Sequence, residues 1–295
     1  MHSCGASTRL QCRQSILQRP HLNQPTIPWG IHWTGIGARA LDPRSDRAAK
    51  YQPQAAYAGL QKSLQAKWQY LQRVTANILD KFDPLTKAIQ STFLPALFGQ
   101  SPTEEITKIT ELSVKQAGLA LPCPTNTAGD NYKNSTVTCG HLIAALRHRE
   151  TFRHADHTAT MAECRSVLKE RNNKDCEERL QKLLQQLPPQ HSRTILRGRQ
   201  TGSWLTTMPS DVCSTELSPQ EFRDGLHLRY GIDPPNLPAR CDGCNAPYLL
   251  QHGLTCKTGG LIIARHNEVQ DELLALCTKA FPPSCVRYEP LIHPS

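Results

Sequence analysis

Apolar residues recur every three or four positions between residues 57 and 74. The repeat consists of Tyr57, Leu60, Leu64, Trp68, Leu71 and Val74, and Gln, Lys and Arg occupy many of the positions between them. This spacing places the apolar side chains on one side of an α-helix and the polar ones on the other. The pattern therefore predicts an amphipathic helix of about five turns that packs against a core.

Two further helical patterns follow before residue 150. One begins at Pro84, whose ring suits a first helical turn, and ends at Gly99, with Pro95 expected to kink or shorten it. The second covers residues 135–147. Its predicted buried residues are Val137, Leu142, Ile143 and Leu146. Between the two helices, residues 111–132 are dense in Gly, Pro, Asn and Asp, which predicts a loop-rich connection.

The second half of the chain begins with a highly charged segment and continues with a clearly bounded helix. Residues 148–200 are typical of exposed helices, which Pro188 and Pro189 would stop. Beyond them, Ser218 can cap a helix and Glu221 can reach back to complete a capping box, and Pro219 fits the first helical position. Gly231 can close this helix, and another helical repeat runs from Ile262 to Ala280.

These elements predict a mainly α protein, with a helical bundle-like part and a small zinc-stabilised module flanked by helices. We divide the chain accordingly into four segments. They are residues 1–48, irregular and either disordered or frameshifted; residues 49–150, a helical region; residues 151–212, a charged helical linker; and residues 213–295, the zinc module with its flanking helices.

The stretch "CDGCNAPYLLQHGLTC", residues 241–256, carries the main chemical signal in the chain. Its candidate metal ligands are Cys241, Cys244, His252 and Cys256. Three thiolates and an imidazole form a donor set that suits tetrahedral zinc, and one helical turn would bring His252 and Cys256 to the same face. Unliganded core residues or a redox pair are the alternatives. Because all four positions are filled, we predict structural Zn²⁺ and no catalytic zinc.

The charge of the chain favours polyanionic partners. Lys and Arg number 34 against 25 Asp and Glu, which gives a formal net charge of +9 and a pI near 9.0. Three cations flank the motif, namely Arg240, Lys257 and Arg265, and we predict that they contact phosphates of DNA or RNA. Ordinary solvated surface charge explains the same three residues about as well.

Two other groups of polar side chains could be drawn as metal sites. One comprises His148, His154 and His157 with Glu150 and Asp156, and the other comprises His266, Glu268, Asp271 and Glu272. The first group lacks a recognised ligand spacing, and the second consists of helix carboxylates near Arg265, so exposed surface residues are the favoured interpretation of both. The chain also shows no Gly-rich phosphate loop, no nucleophile elbow and no paired aspartates, and we therefore expect no enzyme activity.

Apolar stretches in the chain are too short to cross a bilayer, which takes about 18 residues, and the first residues lack the apolar core of a secretory signal. We therefore expect an intracellular, reducing location without membrane contact, and a nuclear location fits the expected partners. In such a compartment the twelve cysteines would not form a disulfide framework.

Several segments together resemble a known family. They are "PQAAYAGLQKSLQAKWQYLQRVT", "LSVKQAGLALPCPTNTA", "WLTTMPSDVCSTELSPQEFRDGLHLRYG" and "CDGCNAPYLLQHGLTCKTGGLIIARHNEVQDELLALC". The chain from about residue 48 to 292 is similar to the region after the reverse transcriptase domain in eukaryotic, non-LTR-like retrotransposon polyproteins. The resemblance implies a thumb-like helical region around "GLAL" and a Cys-Cys-His-Cys module that grips nucleic acid. It also implies that "YEPLI", with Glu289, approaches a restriction-like endonuclease.

The chain departs from this family at both ends. We find no polymerase aspartate box before residue 48, and the sequence stops at Ser295 before a nuclease core. The leading hypothesis is a non-catalytic fragment of a reverse-transcriptase polyprotein that binds nucleic acid through a structural zinc module. Two alternatives remain: a protein-interaction module that docks to a reverse transcriptase partner, or the start of a truncated restriction-like endonuclease.

Overall fold

The computed structural model describes residues 43–149, 151–258 and 261–287. Over these ranges the chain is mainly α-helical as predicted; it has no β-strand there, and its one isolated antiparallel bridge joins Arg240 and Pro247. Residues 1–42, the larger part of the segment predicted to be irregular, lie outside the described residues, and residues 43–51 form a helix. No described helix combines the length and apolar character needed to span a membrane.

The α-helices are numbered in chain order. They are α1 Pro43–Tyr51, α2 Pro53–Gly59, α3 Gln65–Val74, α4 Asp83–Ala88, α5 Leu94–Phe98, α6 Glu104–Thr110, α7 Pro124–Thr138, α8 Gly140–His148, α9 His154–Gln186, α10 Pro189–Gly198, α11 Ser203–Thr206, α12 Pro219–Tyr230, α13 Leu250–Thr255 and α14 Leu261–Ala280. Two π-helical turns, Leu60–Leu64 and Ile89–Phe93, join α2 to α3 and α4 to α5. Short 3-10 turns complete the described elements, at Leu79–Phe82, Val114–Gln116, Arg199–Thr201 and Pro283–Cys285.

The amphipathic helix predicted between residues 57 and 74 is present as α2, a π-helical turn and α3. Its buried side includes Tyr57, Leu60 and Trp68, as the apolar repeat indicates, whereas Val74 is 55% exposed. The polar residue Gln72 instead lies in the interface between α3 and α7. It is fully buried, and it donates a 2.7 Å hydrogen bond to the Pro124 carbonyl at the start of α7. A satisfied amide can enter a helix interface that periodicity assigns only to apolar residues.

The second predicted helix runs through Pro95 and ends where expected. A π-helical turn lies directly before α5, and in it the Leu94 N–H bonds to the Ile89 carbonyl. This turn shifts the hydrogen-bonding pattern at the place where proline lacks its own N–H, so the helix continues to Phe98. Gly99 then adopts φ +77°, the left-handed conformation of a helix C-terminus.

One hydrophobic core joins the helices from α1 to α12, apart from α8. Its largest fully buried side chains are Trp68, Tyr57, Tyr230, Phe82, Phe93, Phe98 and Phe222. Two of them also hold the loop after α6, since the Tyr57 hydroxyl donates to Leu119 O (2.8 Å) and the Tyr230 hydroxyl donates to Ala117 O (3.0 Å). We call this unit the body. Helix α12 belongs to it, so the body extends past residue 213, where we expected the zinc module to begin.

The predictions for residues 111–147 are wrong in two respects. The second half of the supposed loop is helical, because α7 begins at Pro124 and packs along α3. The four residues predicted to be buried on the following helix are exposed: Val137 by 60%, Leu142 by 40%, Ile143 by 44% and Leu146 by 74%. Helix α8 has no buried residue.

The charged segment forms the long helix α9, which ends before Pro188 as predicted. The helix has 33 residues; those before Leu180 are all exposed or half-buried, and Leu180, Leu183 and Leu184 anchor its last turns in the core. Two ion pairs fix this end: Arg179 contacts Glu111 and Arg199 contacts Glu177, each at 2.7 Å. The segment predicted as a linker therefore contributes to the body through its C-terminal part.

Candidate metal centre

The first half of the motif forms a tight knuckle. Cys241 N–H donates to Ala246 O (2.9 Å), and Asn245 N–H donates to Cys241 O (2.8 Å). These two hydrogen bonds fold the chain back on itself between Cys241 and Pro247. The residue with positive φ in this turn is Asn245, at +59°, a residue type that tolerates the left-handed region.

The second half of the motif forms the short helix α13. The Asp233 carboxylate accepts a hydrogen bond from Leu250 N–H (2.7 Å) at its start, and Cys256 N–H donates to His252 O (2.8 Å) at its end. His252 and Cys256 thus face the knuckle from one helical turn, as the spacing predicts. Asp233 also joins the motif to the body, because Gln100 Nε2 donates to its backbone carbonyl (2.9 Å).

The four ligand atoms come together as a compact cluster. The Cys241 Sγ to Cys256 Sγ and Cys244 Sγ to Cys256 Sγ distances are both 3.8 Å, and Cys244 Sγ lies 3.3 Å from His252 Nε2. All four atoms lie within 4.8 Å of one another. A tetrahedral site with metal to sulfur bonds of about 2.3 Å has sulfur to sulfur edges of about 3.8 Å. The group could therefore hold a metal ion.

The distances also bear on the alternatives considered for these cysteines. A disulfide would require the sulfur atoms to be about 2.05 Å apart, and Cys241, Cys244 and Cys256 are all free thiols. Cys241 and Cys256 are buried, but Cys244 is exposed and His252 is half-buried. Two buried and two accessible ligands describe a surface metal cluster better than they describe ordinary core packing.

The surroundings of Cys241 favour its thiolate. The backbone N–H of Cys244, the His252 side chain and the backbone N–H of Gly243, in that order, lower the pKa of the Cys241 thiol to about 6. The pKa of the Cys256 thiol is raised: the Thr258 backbone lowers it, but burial and the Cys241 and Cys244 side chains outweigh this effect. Because a thiolate rather than a thiol binds metal, Cys241 should give up its proton more readily than Cys256 when an ion enters.

The three cations predicted to contact nucleic acid are all exposed, but they differ in their anchoring. Arg240 Nη1 donates to Asn245 O (3.0 Å) across the knuckle, and Arg265 Nη1 donates to Leu254 O (3.2 Å), which joins α14 to α13. Lys257 directly follows the last cysteine. The structure thus places all three around the metal ligands, and two of them are positioned by backbone carbonyls.

The two other groups of polar side chains do not converge in the described part of the chain. No second group of three or more His, Cys, Asp or Glu residues there brings its ligand atoms together. His266, Glu268 and Glu272 are exposed on α14, in agreement with the surface interpretation. Glu150 and Glu289 lie outside the described residues.

Comparison with protein-family models, with curated proteins and with solved structures finds no match to this chain.

Proposed function

We propose that Cys241, Cys244, His252 and Cys256 bind one structural Zn²⁺ ion, and that the module so formed binds nucleic acid. In this proposal the chain is a non-catalytic, nucleic-acid-binding region similar to the one that follows the reverse transcriptase domain in retrotransposon polyproteins. The observation that carries it is the sulfur to sulfur spacing of 3.8 Å within a complete set of four ligands.

Zinc fits this site better than other common ions. Three thiolates and an imidazole are soft and borderline donors, which favour zinc over magnesium or calcium, ions that prefer oxygen. The segment between residues 239 and 258 buries only two side chains, Cys241 and Cys256. Such a segment has little core of its own, so the free energy of metal binding would supply its folding free energy.

Nucleic acid is the partner that the charge of the chain favours. The formal net charge is +9, and Arg240, Lys257 and Arg265 surround the cluster as exposed cations. Backbone anchoring of the two arginine side chains lowers the conformational entropy lost when they meet a phosphate. The ion would have an architectural role, in that it positions these cations.

Metal analysis of reduced, freshly purified protein tests the first half of the proposal. We expect one zinc per chain in the wild type and substantially less in Cys244→Ser. Cys213→Ser is the matched control, because Cys213 is an exposed free thiol outside the cluster and its loss should leave the zinc content unchanged. A wild-type protein without zinc would refute the metal assignment.

Binding to labelled DNA and RNA over a range of salt concentrations tests the second half. We expect the logarithm of the affinity to fall steeply and linearly with the logarithm of salt concentration, because cations on the protein release counterions from phosphates. Cys244→Ser should bind more weakly, since the loss of a ligand disorders the cations around it. Unchanged binding by that variant would show that the metal module takes no part.

A protein partner, such as a reverse transcriptase, is the second candidate. Apolar side chains remain exposed on α7, α8 and α14, namely Val137, Leu142, Ile143, Leu146, Ile263, Val269, Leu273 and Leu276. Helix α12, in contrast, buries Phe222, Leu226 and Tyr230 in the body. A docking module should show weak binding to nucleic acid with a shallow salt slope, which separates the two candidates.

A nuclease is the third candidate. It would use Glu289 and the carboxylates of "RHNEVQDE" in magnesium-dependent cleavage. Cleavage that is lost in Glu289→Gln would support this function over simple binding.

A further inference from the structure

A groove with a volume of about 590 Å³ lies between the body and the metal module. Helices α10, α11 and α12 supply one wall, and α13 with the first turns of α14 supplies the other. The groove is thus formed by segments that are distant in sequence, and only one of the predicted contact residues, Arg265, lines it. The hydrogen bond from Arg265 to Leu254 O fixes the position of this arginine along the module's wall.

The lining is cationic and has no opposing negative charge. Arg197, Arg229 and Arg265 all line the groove, and none of the twelve lining residues is acidic. Threonine hydroxyls and the Gln251 amide add neutral hydrogen-bonding groups. A groove of this composition attracts anions and can donate several hydrogen bonds to phosphate oxygens.

Arg229 is the most unusual of these residues because it is 95% buried. Its guanidinium donates to two neutral carbonyls, those of Gly198 and Val114, and its Nε has no hydrogen-bond partner among the described residues. Buried cations are normally compensated by an anion, since burial of an unpaired charge is costly. An anion in the groove would supply the missing compensation.

An aromatic side chain lies beside these cations. Trp204 is half-buried, with its ring packed edge-on to Phe222 at a centroid distance of 5.4 Å and against Gly225 of α12. Phe222 is fully buried, so the Trp204 ring has a fixed backing and part of it borders the groove. A held aromatic ring beside cations is the arrangement on which unpaired bases stack.

We propose that this groove binds a single strand of nucleic acid, with phosphates at Arg197, Arg229 and Arg265 and a base against Trp204. The inference depends on the proposed function, and it adds both the strandedness of the ligand and the residues of the body that contact it. A volume of about 590 Å³ is in the range of nucleotide-sized ligand sites. In a duplex the base faces are stacked and unavailable to Trp204.

Fluorescence anisotropy with a labelled single strand of about 12 nucleotides, and with a duplex of the same sequence, tests the proposal. We expect the full-length protein to prefer the single strand. Trp204→Leu should weaken single-strand binding by about 5-fold or more, and Trp204→Phe should retain most of it because the ring is kept. Arg197→Gln should reduce the slope of the salt dependence by about 0.7.

Arg165→Gln is the matched control, because Arg165 is an exposed arginine of α9 and does not line the groove. It should bind like the wild type, and every variant should retain its zinc and its helical circular dichroism signal. Competition with inorganic phosphate or a mononucleotide should require a large excess, since each would make only part of the contacts proposed for the strand. Displacement at concentrations equal to that of the strand would point to a free phosphorylated ligand and would overturn the strand proposal.

The outcomes separate this inference from the proposed function. If the wild type binds nucleic acid and the Trp204 and Arg197 variants bind equally well, the groove is not the site, although the proposed function stands. A preference for duplex also overturns the groove proposal alone. If the zinc-loaded wild type binds no nucleic acid, both proposals fail.

Discussion

At the scale of single residues, the buried His227 is neutral in the folded protein for a clear structural reason. Its Nε2 lies 2.9 Å from Phe98 O and can donate to it, whereas its Nδ1 is buried without a partner among the described residues. Burial lowers the pKa of His227; the Phe98 carbonyl and Asp224 oppose this effect, and Arg223 adds to it. A second proton on Nδ1 would have no acceptor.

This geometry predicts a pH-dependent contribution of His227 to stability. Because the folded pKa is lowered, the unfolded chain binds more protons, and stability falls as pH drops through the unfolded pKa of about 6.5. Urea denaturation of wild type and His227→Gln between pH 8 and pH 5 measures it. The stability advantage of the wild type should shrink towards acidic pH, and an advantage independent of pH would contradict the assignment.

A glycine in the loop held by Tyr57 and Tyr230 gives a second prediction. A Cβ atom on Gly118 would lie 2.0 Å from Leu112 O, a backbone atom that cannot move aside, so Gly118→Ala should destabilise the fold by about 3 kcal/mol. The control is Gly129→Ala in α7, where no neighbouring atom lies within 4 Å. It should be neutral or stabilising by up to about 1 kcal/mol in urea denaturation.

At the scale of secondary structure elements, local chemistry predicts helix ends better than it predicts helix partners. In α12 the Ser218 side chain accepts from Glu221 N–H (3.2 Å), Glu221 accepts from Ser218 N–H (2.7 Å), and Gly231 closes the helix at φ +67°. These contacts lie within a few residues, so the sequence alone identifies them. The exposed apolar residues of α8 were wrongly predicted to be buried. Periodicity reveals that a helix has an apolar side, but it does not reveal whether another helix covers that side.

The same limit explains why residues 124–132, which form most of α7, were predicted as part of a loop. Its sequence, "PTNTAGDNYKNSTVT", has turn-forming composition, yet Gln72 donates to Pro124 O (2.7 Å) and accepts from Asn131 Nδ2 (2.7 Å). These contacts bridge more than fifty residues of sequence. Tertiary packing thus overrides a weak local preference.

The capping box provides the prediction at this scale. Ser218→Ala should cost about 1 kcal/mol, because the N–H of Glu221 loses its acceptor. Ser166→Ala, at an exposed interior position of α9, is the control and should be neutral or slightly stabilising. If Ser218→Ala and Ser166→Ala change the urea midpoint of unfolding equally, the capping box adds no stability beyond helix propensity.

At the scale of the whole molecule, the body and the metal module depend on different interactions. The core includes residues from Ala49 to Tyr230, and none of the four candidate ligands belongs to it. The ligand spacing was readable from the sequence because it lies within 16 residues. The groove could not be predicted from the sequence, because only the packing of α10, α11 and α12 brings Arg197, Trp204 and Arg229 to the module.

This division predicts a partial response to metal removal. A strong chelator should disorder residues 239–258 and leave the helices of the body intact, because zinc would supply folding free energy only where a core is lacking. Circular dichroism should retain most of its helical signal while amide exchange within 239–258 accelerates. Loss of the whole helical signal would show that the metal also holds the body together.

The long helix α9 has a consequence for how the molecule opens. At about 1.5 Å per residue it extends for about 50 Å, and only its last turns, around Leu180, Leu183 and Leu184, enter the core. Its earlier turns can therefore fray and re-form without disturbing the body, whereas its final turns can open only together with it. One uninterrupted helix would thus contain both some of the fastest and some of the slowest opening steps of the protein, arranged as a gradient along its axis.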